Sequence, residues 1–153
     1  MEGANMELGD ALPNFKLMDQ NGAEFNTAKD LKNKACVIYF YPKNFTPGCT
    51  AEACSFRDNF QDFTDAGVQV IGISKDSQQS HEKFAKRYQL PFRLLADPKG
   101  QVARIFGVKS TLLGLLPGRE TYVFSKEGVL VSSFKSLAAD PHIRKSLKLI
   151  KTL

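Results

Sequence analysis

The chain has 153 residues, a length that suits one domain of the usual roughly 100–200 residues and closes a core without metal or disulfides. Hydrophobic residues make up 42% and charged residues 24%, which excludes disordered, collagen-like and disulfide-scaffold chains; no apolar run approaches the about 18 residues of a membrane span. Net charge is +5 and concentrated late, with nine basic and three acidic residues over 101–153; without a zinc-finger pattern or an RNP-type aromatic stretch, this excess reads as a solvated helix face and not as a nucleic-acid surface.

The start, Met1 to Glu7, carries acids and lacks the apolar core of a secretory signal. Residues 1–6 are expected to be a flexible tail of a single domain spanning 1–153. Phe15 to Thr27 reads as a hairpin around Asn21-Gly22, an Asn-Gly turn signal. Cys36 to Tyr41 is an unbroken apolar run rich in β-branched and aromatic residues, the pattern of a buried strand, and Pro42 ends it. Pro47 to about Ala66 is helical, with Phe56, Phe60 and Phe63 at spacings of three and four. Val68–Ser74 is a second buried strand. Gln78–Tyr88 is an amphipathic helix with Phe84, Ala85 and Tyr88 on one side, and His81 in it reads as a surface histidine. Phe92–Ala96 is a third strand, and a short helix follows near Val102–Phe106. Ser110–Leu116 is an apolar loop that reads as core under a turn or as a contact wall. Thr121–Ser125 and Val129–Phe134 form an antiparallel hairpin about Lys126-Glu127-Gly128. Asp140 caps a last helix over Pro141–Lys151, which carries His142 and the basic run Arg144, Lys145, Lys148 and Lys151. Strands that alternate with helices predict an α/β fold: a mixed central sheet with helices on both faces. Ligands of such sheets favour the crevice beyond the C-terminal strand ends, which directs interest to the segment after Tyr41.

That segment holds two of the three cysteines, Cys36, Cys49 and Cys54. Three thiols without a signal sequence fit a reducing compartment, and the cytoplasm is the expected location, with an organelle lumen left open. Thr46-Pro47 is a helix start, Thr46 as N-cap and Pro47 at N1, so Cys49 falls at N3. There its sulfur lies near free backbone N–H groups and the positive end of the helix dipole, both of which favour a thiolate. Cys54 follows five residues later. On one regular helix the two Cα atoms lie roughly 8–9 Å apart, beyond the about 7 Å that a disulfide tolerates, so the pair either never bridges or bridges only when the helix start unwinds. Cys36, inside a strand, reads as a structural core thiol. Zinc would need two more ligands at suitable spacing, and Cys-x4-Cys is not the Cys-x-x-Cys of a thioredoxin-type exchange site. Phosphate-loop, dinucleotide and serine-hydrolase motifs are absent.

The segment Pro42-x-x-x-Thr46-x-x-Cys49 resembles the active-site signature of the peroxiredoxins, thiol peroxidases with a thioredoxin-like fold. Cys54, five residues on, resembles the resolving cysteine of the peroxiredoxin Q or bacterioferritin comigratory protein subfamily. Gly9-Asp10-x-x-Pro13-x-Phe15, Ala53-Cys54-x-Phe56-Arg57-Asp58, Val70-Ile71-Gly72-Ile73-Ser74, Leu94-Leu95-x-Asp97 and Leu116-Pro117-Gly118-Arg119-x-Thr121 resemble it in the same order. The resemblance implies Cys49 as peroxidatic cysteine, Cys54 as resolving cysteine, Thr46 as the hydroxyl that bonds thiolate and peroxide, Pro42 as a shield of the pocket and Arg119 as the arginine that favours the thiolate. Glu52 matches a polar helix position whose role is to bond a basic neighbour. It further implies reduction of hydrogen peroxide and organic hydroperoxides through a sulfenic acid, an intramolecular Cys49–Cys54 disulfide, and thioredoxin as the external dithiol, with no metal, haem or flavin. A monomer, or a weak dimer, is expected. A disulfide oxidoreductase or a peroxide sensor on the same fold stays open as an alternative. A glutathione-peroxidase-like site is disfavoured because the chain has no Trp.

Overall fold

Both faces of the central strands are apolar, and the chain answers with two helical layers. The computed structural model describes residues 6–108, 110–111, 116–117, 119–135, 146 and 148–149. In chain order the elements are β1 (Lys16–Asp19), β2 (Glu24–Asn26), α1 (Thr27–Asp30), β3 (Ala35–Phe40), α2 (Pro47–Asp58), α3 (Phe60–Asp65), β4 (Val68–Ser74), α4 (Gln78–Tyr88), β5 (Arg93–Ala96), α5 (Gln101–Phe106), β6 (Ser110–Thr111), β7 (Leu116–Pro117), β8 (Glu120–Phe124) and β9 (Leu130–Lys135). Seven strands form one sheet in the order β2-β1-β5-β4-β3-β8-β9, and β6 pairs with β7 separately. The middle trio β5-β4-β3 is parallel, whereas β1, β2, β8 and β9 join antiparallel.

The run Cys36–Tyr41 shows no polar alternation because neither face of β3 meets water. Val37, Tyr39 and Tyr41 join a core with Ala53 and Phe56 of α2, Phe63 of α3 and Phe84 of α4. Cys36, Ile38 and Phe40 point the other way, into a second core with Phe15, Phe25, Val102 and Phe106. Tyr39 pairs with Gly72 in the parallel register of β3 and β4. A Cβ on Gly72 would meet the Tyr39 ring at 2.8 Å, so this glycine makes room for the ring. The Asn21-Gly22 turn closes as expected: Asp19 Oδ1 accepts from the backbone N–H of Asn21 and Ala23 at 2.8 and 3.0 Å, and Gly22 takes φ +78°.

Two sequence expectations change at the element level. The helix expected from Pro47 to Ala66 is broken at Asn59, whose backbone leaves helical geometry at φ −105°, ψ 11°. The Asn59 side chain donates to the Ser55 carbonyl at 2.8 Å, the local bond by which Asn competes with helix propagation. The second piece then turns so that Phe63 is buried. The third strand starts at Arg93 and not at Phe92. The last helix, expected over Pro141–Lys151, lies outside the described residues with His142, Arg144, Lys145 and Lys151; Ser146, Lys148 and Leu149 alone of it are described, and they are helical. Of the apolar loop over 110–116, the short pairing of β6 with β7 is described, and residues 112–115 lie outside.

Candidate active site

Parallel β3 and β4 end side by side, and the chain leaves β3 through residues 41–46 before α2 begins. Strand β8 runs antiparallel to β3, and the pairing of Phe40 with Glu120 carries Arg119 to the same end of the sheet. Two segments 70 residues apart therefore converge. Thr46 occupies the N-cap of α2 with extended backbone, Pro47 takes N1, and Cys49 falls at N3, buried against the core. Its sulfur accepts from Arg119 Nη2 at 3.4 Å, while Arg119 Nη1 donates to Glu52 Oε1. Glu52 follows Cys49 by three residues, on the same helix face, so one guanidinium fork holds two adjacent turns.

This cluster is buried. Arg119 is 6% exposed and Glu52 fully buried. Burial pushes the Glu52 carboxyl up to about 8, with Arg119 opposing. Burial lowers the Arg119 guanidinium, but Glu52 and Cys49 outweigh it and raise it overall. The guanidinium thus aims a charged N–H donor at the Cys49 sulfur from within the buried cluster. Glu52 bonding a basic neighbour, as the resemblance implied, is what the geometry contains.

Thr46 departs from one expectation. Its hydroxyl makes no capping bond, and its proton goes to the Lys43 carbonyl at 2.7 Å and not, as the resemblance implied, to the Cys49 sulfur. With the proton committed there, the oxygen keeps its lone pairs to accept from a ligand. Pro42 is half-buried at the start of this loop. Cys54 is half-buried on the same unbroken helix as Cys49, and both are free thiols. Regular helix geometry keeps them roughly 8–9 Å apart, so they cannot bridge in this conformation. Cys36 is fully buried, and burial raises its thiol to about 12 despite a backbone hydrogen bond from Phe124; it is the inert core thiol expected.

His81 was expected at the surface and is instead fully buried. It occupies position i of the stripe completed by Phe84, Ala85 and Tyr88 at i+3, i+4 and i+7, the spacing that marks a core-facing side; that spacing was the available signal. Its neighbours are Tyr41, Asn44 and Ser74. None of these polar groups stood out in the sequence, because no local motif announces contacts made between the loop after β3, the end of β4 and α4.

A comparison with protein-family models matches residues 8–133 to the AhpC/TSA family. The chain belongs to that family. It is a peroxiredoxin, a thiol-dependent peroxidase with a thioredoxin-like fold. Chloroplastic peroxiredoxin Q of Sedum lineare is 46% identical over 151 residues, covering 98% of this chain and 81% of that one. The corresponding Arabidopsis thaliana protein is 45% identical over 97% of this chain and 68% of its own length. Among solved structures, peroxidoxin BcpB of Mycobacterium tuberculosis superposes with TM-score 0.89 at 35% identity, covering 97% and 99% of the two chains. The bacterioferritin comigratory protein of Xanthomonas campestris, whose structures address alkyl peroxide reduction, gives 0.84 at 28% identity over 94% and 98%. The cytoplasmic expectation is overturned, since these curated plant relatives are named chloroplastic.

In this peroxiredoxin, Gly48 lies under the guanidinium. A Cβ there would sit 3.0 Å from Arg119 Nη2, the nitrogen that bonds the sulfur. Gly48→Ala gains helix propensity, yet it should slow peroxide consumption by roughly three- to tenfold, less than the roughly 10² that a 1 Å misplacement can cost. Single-turnover rates beside thermal melts test this; an unslowed Gly48→Ala chain would show that the position of Nη2 is unimportant.

Proposed function

We propose that Cys49 is the peroxidatic nucleophile, that Arg119 and Thr46 hold the peroxide against it, and that Cys54 resolves the product. The contact of Arg119 Nη2 with a buried sulfur at the start of α2 carries this reading. The Cys49 thiolate attacks the terminal oxygen of a hydroperoxide. The O–O bond breaks, the sulfur takes up OH as a sulfenic acid, and the leaving alkoxide or hydroxide takes a proton to become alcohol or water. Charge develops on that leaving oxygen within reach of the guanidinium and the first N–H groups of α2, the preorganised donors such a step needs. Thr46, its proton held by Lys43, accepts a hydrogen bond from the peroxide O–H and orients it. Pro42 covers the loop and limits water. Hydrogen peroxide and alkyl hydroperoxides are the substrates, a range supported by the alkyl peroxide reduction studied for the Xanthomonas campestris relative.

The Cys54 thiol then displaces water from the sulfenic acid and forms the Cys49–Cys54 disulfide. An external dithiol protein of the thioredoxin type reduces the bridge by exchange and becomes a disulfide itself. Sulfur and dithiol supply both electrons, so the cycle needs no metal or prosthetic group. Every group invoked lies in one chain, which favours a working monomer. The names of the plant relatives support a plastid location.

Bridging requires the start of α2 to open. Peptide mapping after one equivalent of hydrogen peroxide should therefore find Cys49 joined to Cys54, and amide exchange across Pro47–Phe56 should rise on oxidation. Cys54→Ser should stop the bridge and leave a sulfenic acid, a gain of one oxygen in intact mass. Unchanged protection in a protein that does carry the bridge would refute the opening step; a bridge through Cys36 would refute the pairing.

A further inference from the structure

A buried polar cluster lies behind the peroxidatic loop, outside the reacting groups. Asn44 stands two residues before Thr46, and both its main chain and its side chain are tied down. Its backbone N–H donates to Asp76 Oδ2 at 2.9 Å. Its side-chain oxygen accepts from Tyr41 Oη at 2.6 Å. Its side-chain nitrogen donates to His81 Nδ1 at 2.9 Å and to Ser80 Oγ at 3.1 Å. Ser74 Oγ donates to Asp76 Oδ2 at 2.7 Å and faces His81 Nε2 at 3.4 Å. One assignment of protons satisfies all these contacts: Nδ1 of a neutral His81 accepts, and Nε2 carries the hydrogen. Burial, outweighing Asp76 and a hydrogen bond to the Leu95 backbone carbonyl, lowers the imidazole to about 4 and keeps it neutral near pH 7.

The next residue, Phe45, is held at φ +65°, a region that bulky residues avoid. Its ring contacts Phe84 and Tyr88 of the same helix as His81, at centroid distances of 5.1 and 6.3 Å. A strained backbone persists only where its surroundings over-determine it, and here α4 supplies those surroundings on both sides of the turn. Thr46 leaves this turn directly, with its hydroxyl bonded to Lys43 inside it.

We propose that Asn44 and His81 are positioning residues for peroxide reduction: their contact locks the turn that sets Thr46 and Cys49 toward the peroxide. This rests on the reading of Cys49 as the peroxidatic cysteine. The test is consumption of one equivalent of hydrogen peroxide by the reduced full chain at 25 °C, with unfolding temperature measured alongside. Asn44→Ala removes three side-chain bonds from a loop position without touching the apolar core, and should slow the second-order step roughly ten- to a hundredfold. His81→Phe should slow it similarly. His81→Gln keeps an acceptor for Asn44 Nδ2 and should lie nearer the parent than His81→Phe. Because both residues act through one contact, the double variant Asn44→Ala with His81→Phe should be little slower than either single one. A purely structural role would lower the unfolding temperature while leaving the rate at 25 °C within about twofold of the parent, and that result overturns the proposal. So do single-variant effects that multiply. Should His81→Phe fail to fold, Asn44→Ala and His81→Gln decide alone. If Cys49→Ser consumes peroxide as fast as the parent, the reading of the site fails; if Cys49 is required and Asn44→Ala keeps the parental rate, only the positioning role fails.

Discussion

A Cys49→Ser chain is expected to lose peroxide turnover by at least about 10³-fold, the scale on which removal of an enzymatic nucleophile acts. The serine hydroxyl fits the site and keeps α2 intact, but it does not ionise near pH 7 and forms no sulfenic acid. The two remaining thiols do not replace it. Cys36 is fully buried in the opposite core, its thiol raised to about 12. Cys54 lacks the Arg119 contact that the Cys49 sulfur receives. Peroxide consumption by the reduced chain, followed with intact mass, measures this. A Cys49→Ser protein that still reduces peroxide at the parental rate would reassign the nucleophile.

Arg119→Met is the second large effect, and it acts on rate and stability together. Peroxide consumption should fall by roughly 10²–10³-fold, the usual cost of removing one preorganised donor from a developing anion. Arg119→Lys should recover part of it, because an ammonium can approach Cys49 or Glu52 but lacks the fork that reaches both. Stability should fall as well, since the buried Glu52 carboxyl loses the donor that it bonds. Glu52 has an ordinary value of 4.5 and is raised to about 8 by burial. A carboxyl raised on folding binds its proton more tightly when folded. Its contribution to stability is full below 4.5 and is lost as pH rises through about 8. Loss of Arg119 removes the group that opposes this rise, so the stability deficit of Arg119→Met should grow from pH 5 to pH 8. Thermal unfolding at the two pH values checks it; an equal deficit at both would mean that Glu52 carries no such linkage.

The elements were legible wherever periodicity is local. Val68–Ser74 and Gln78–Tyr88 have the bounds that their patterns predict, since burial on both faces and on one helix face leave different repeats. The hairpin about Gly128 was legible from its turn residues. The break at Asn59 was not, because Asn is tolerated inside helices and its side-chain bond to the Ser55 carbonyl leaves no mark in the hydrophobic pattern. The burial of His81 escapes the local pattern for a related reason. Its neighbours Ser80 and Glu82 are polar, whereas its burial follows from Phe84 and Ala85 one turn further on.

The chemistry of the loop was local as well. Thr46-Pro47 fixes where α2 begins, and the count from that start places Cys49 at N3 and Cys54 on the same helix, too far away to bridge. These consequences follow from backbone geometry over a dozen residues, so the sequence alone determined them. Arg119 is different. Its motif named it as a candidate through resemblance, but its contact with sulfur depends on the antiparallel register of β8 against β3. The same holds for the bonds joining Asn44 to His81, which need β3, β4 and α4 to end at one corner of the sheet. Short-range patterns record which face of an element is buried. They do not record which distant element covers it, and that choice, made by tertiary packing, set the electrostatics of the site.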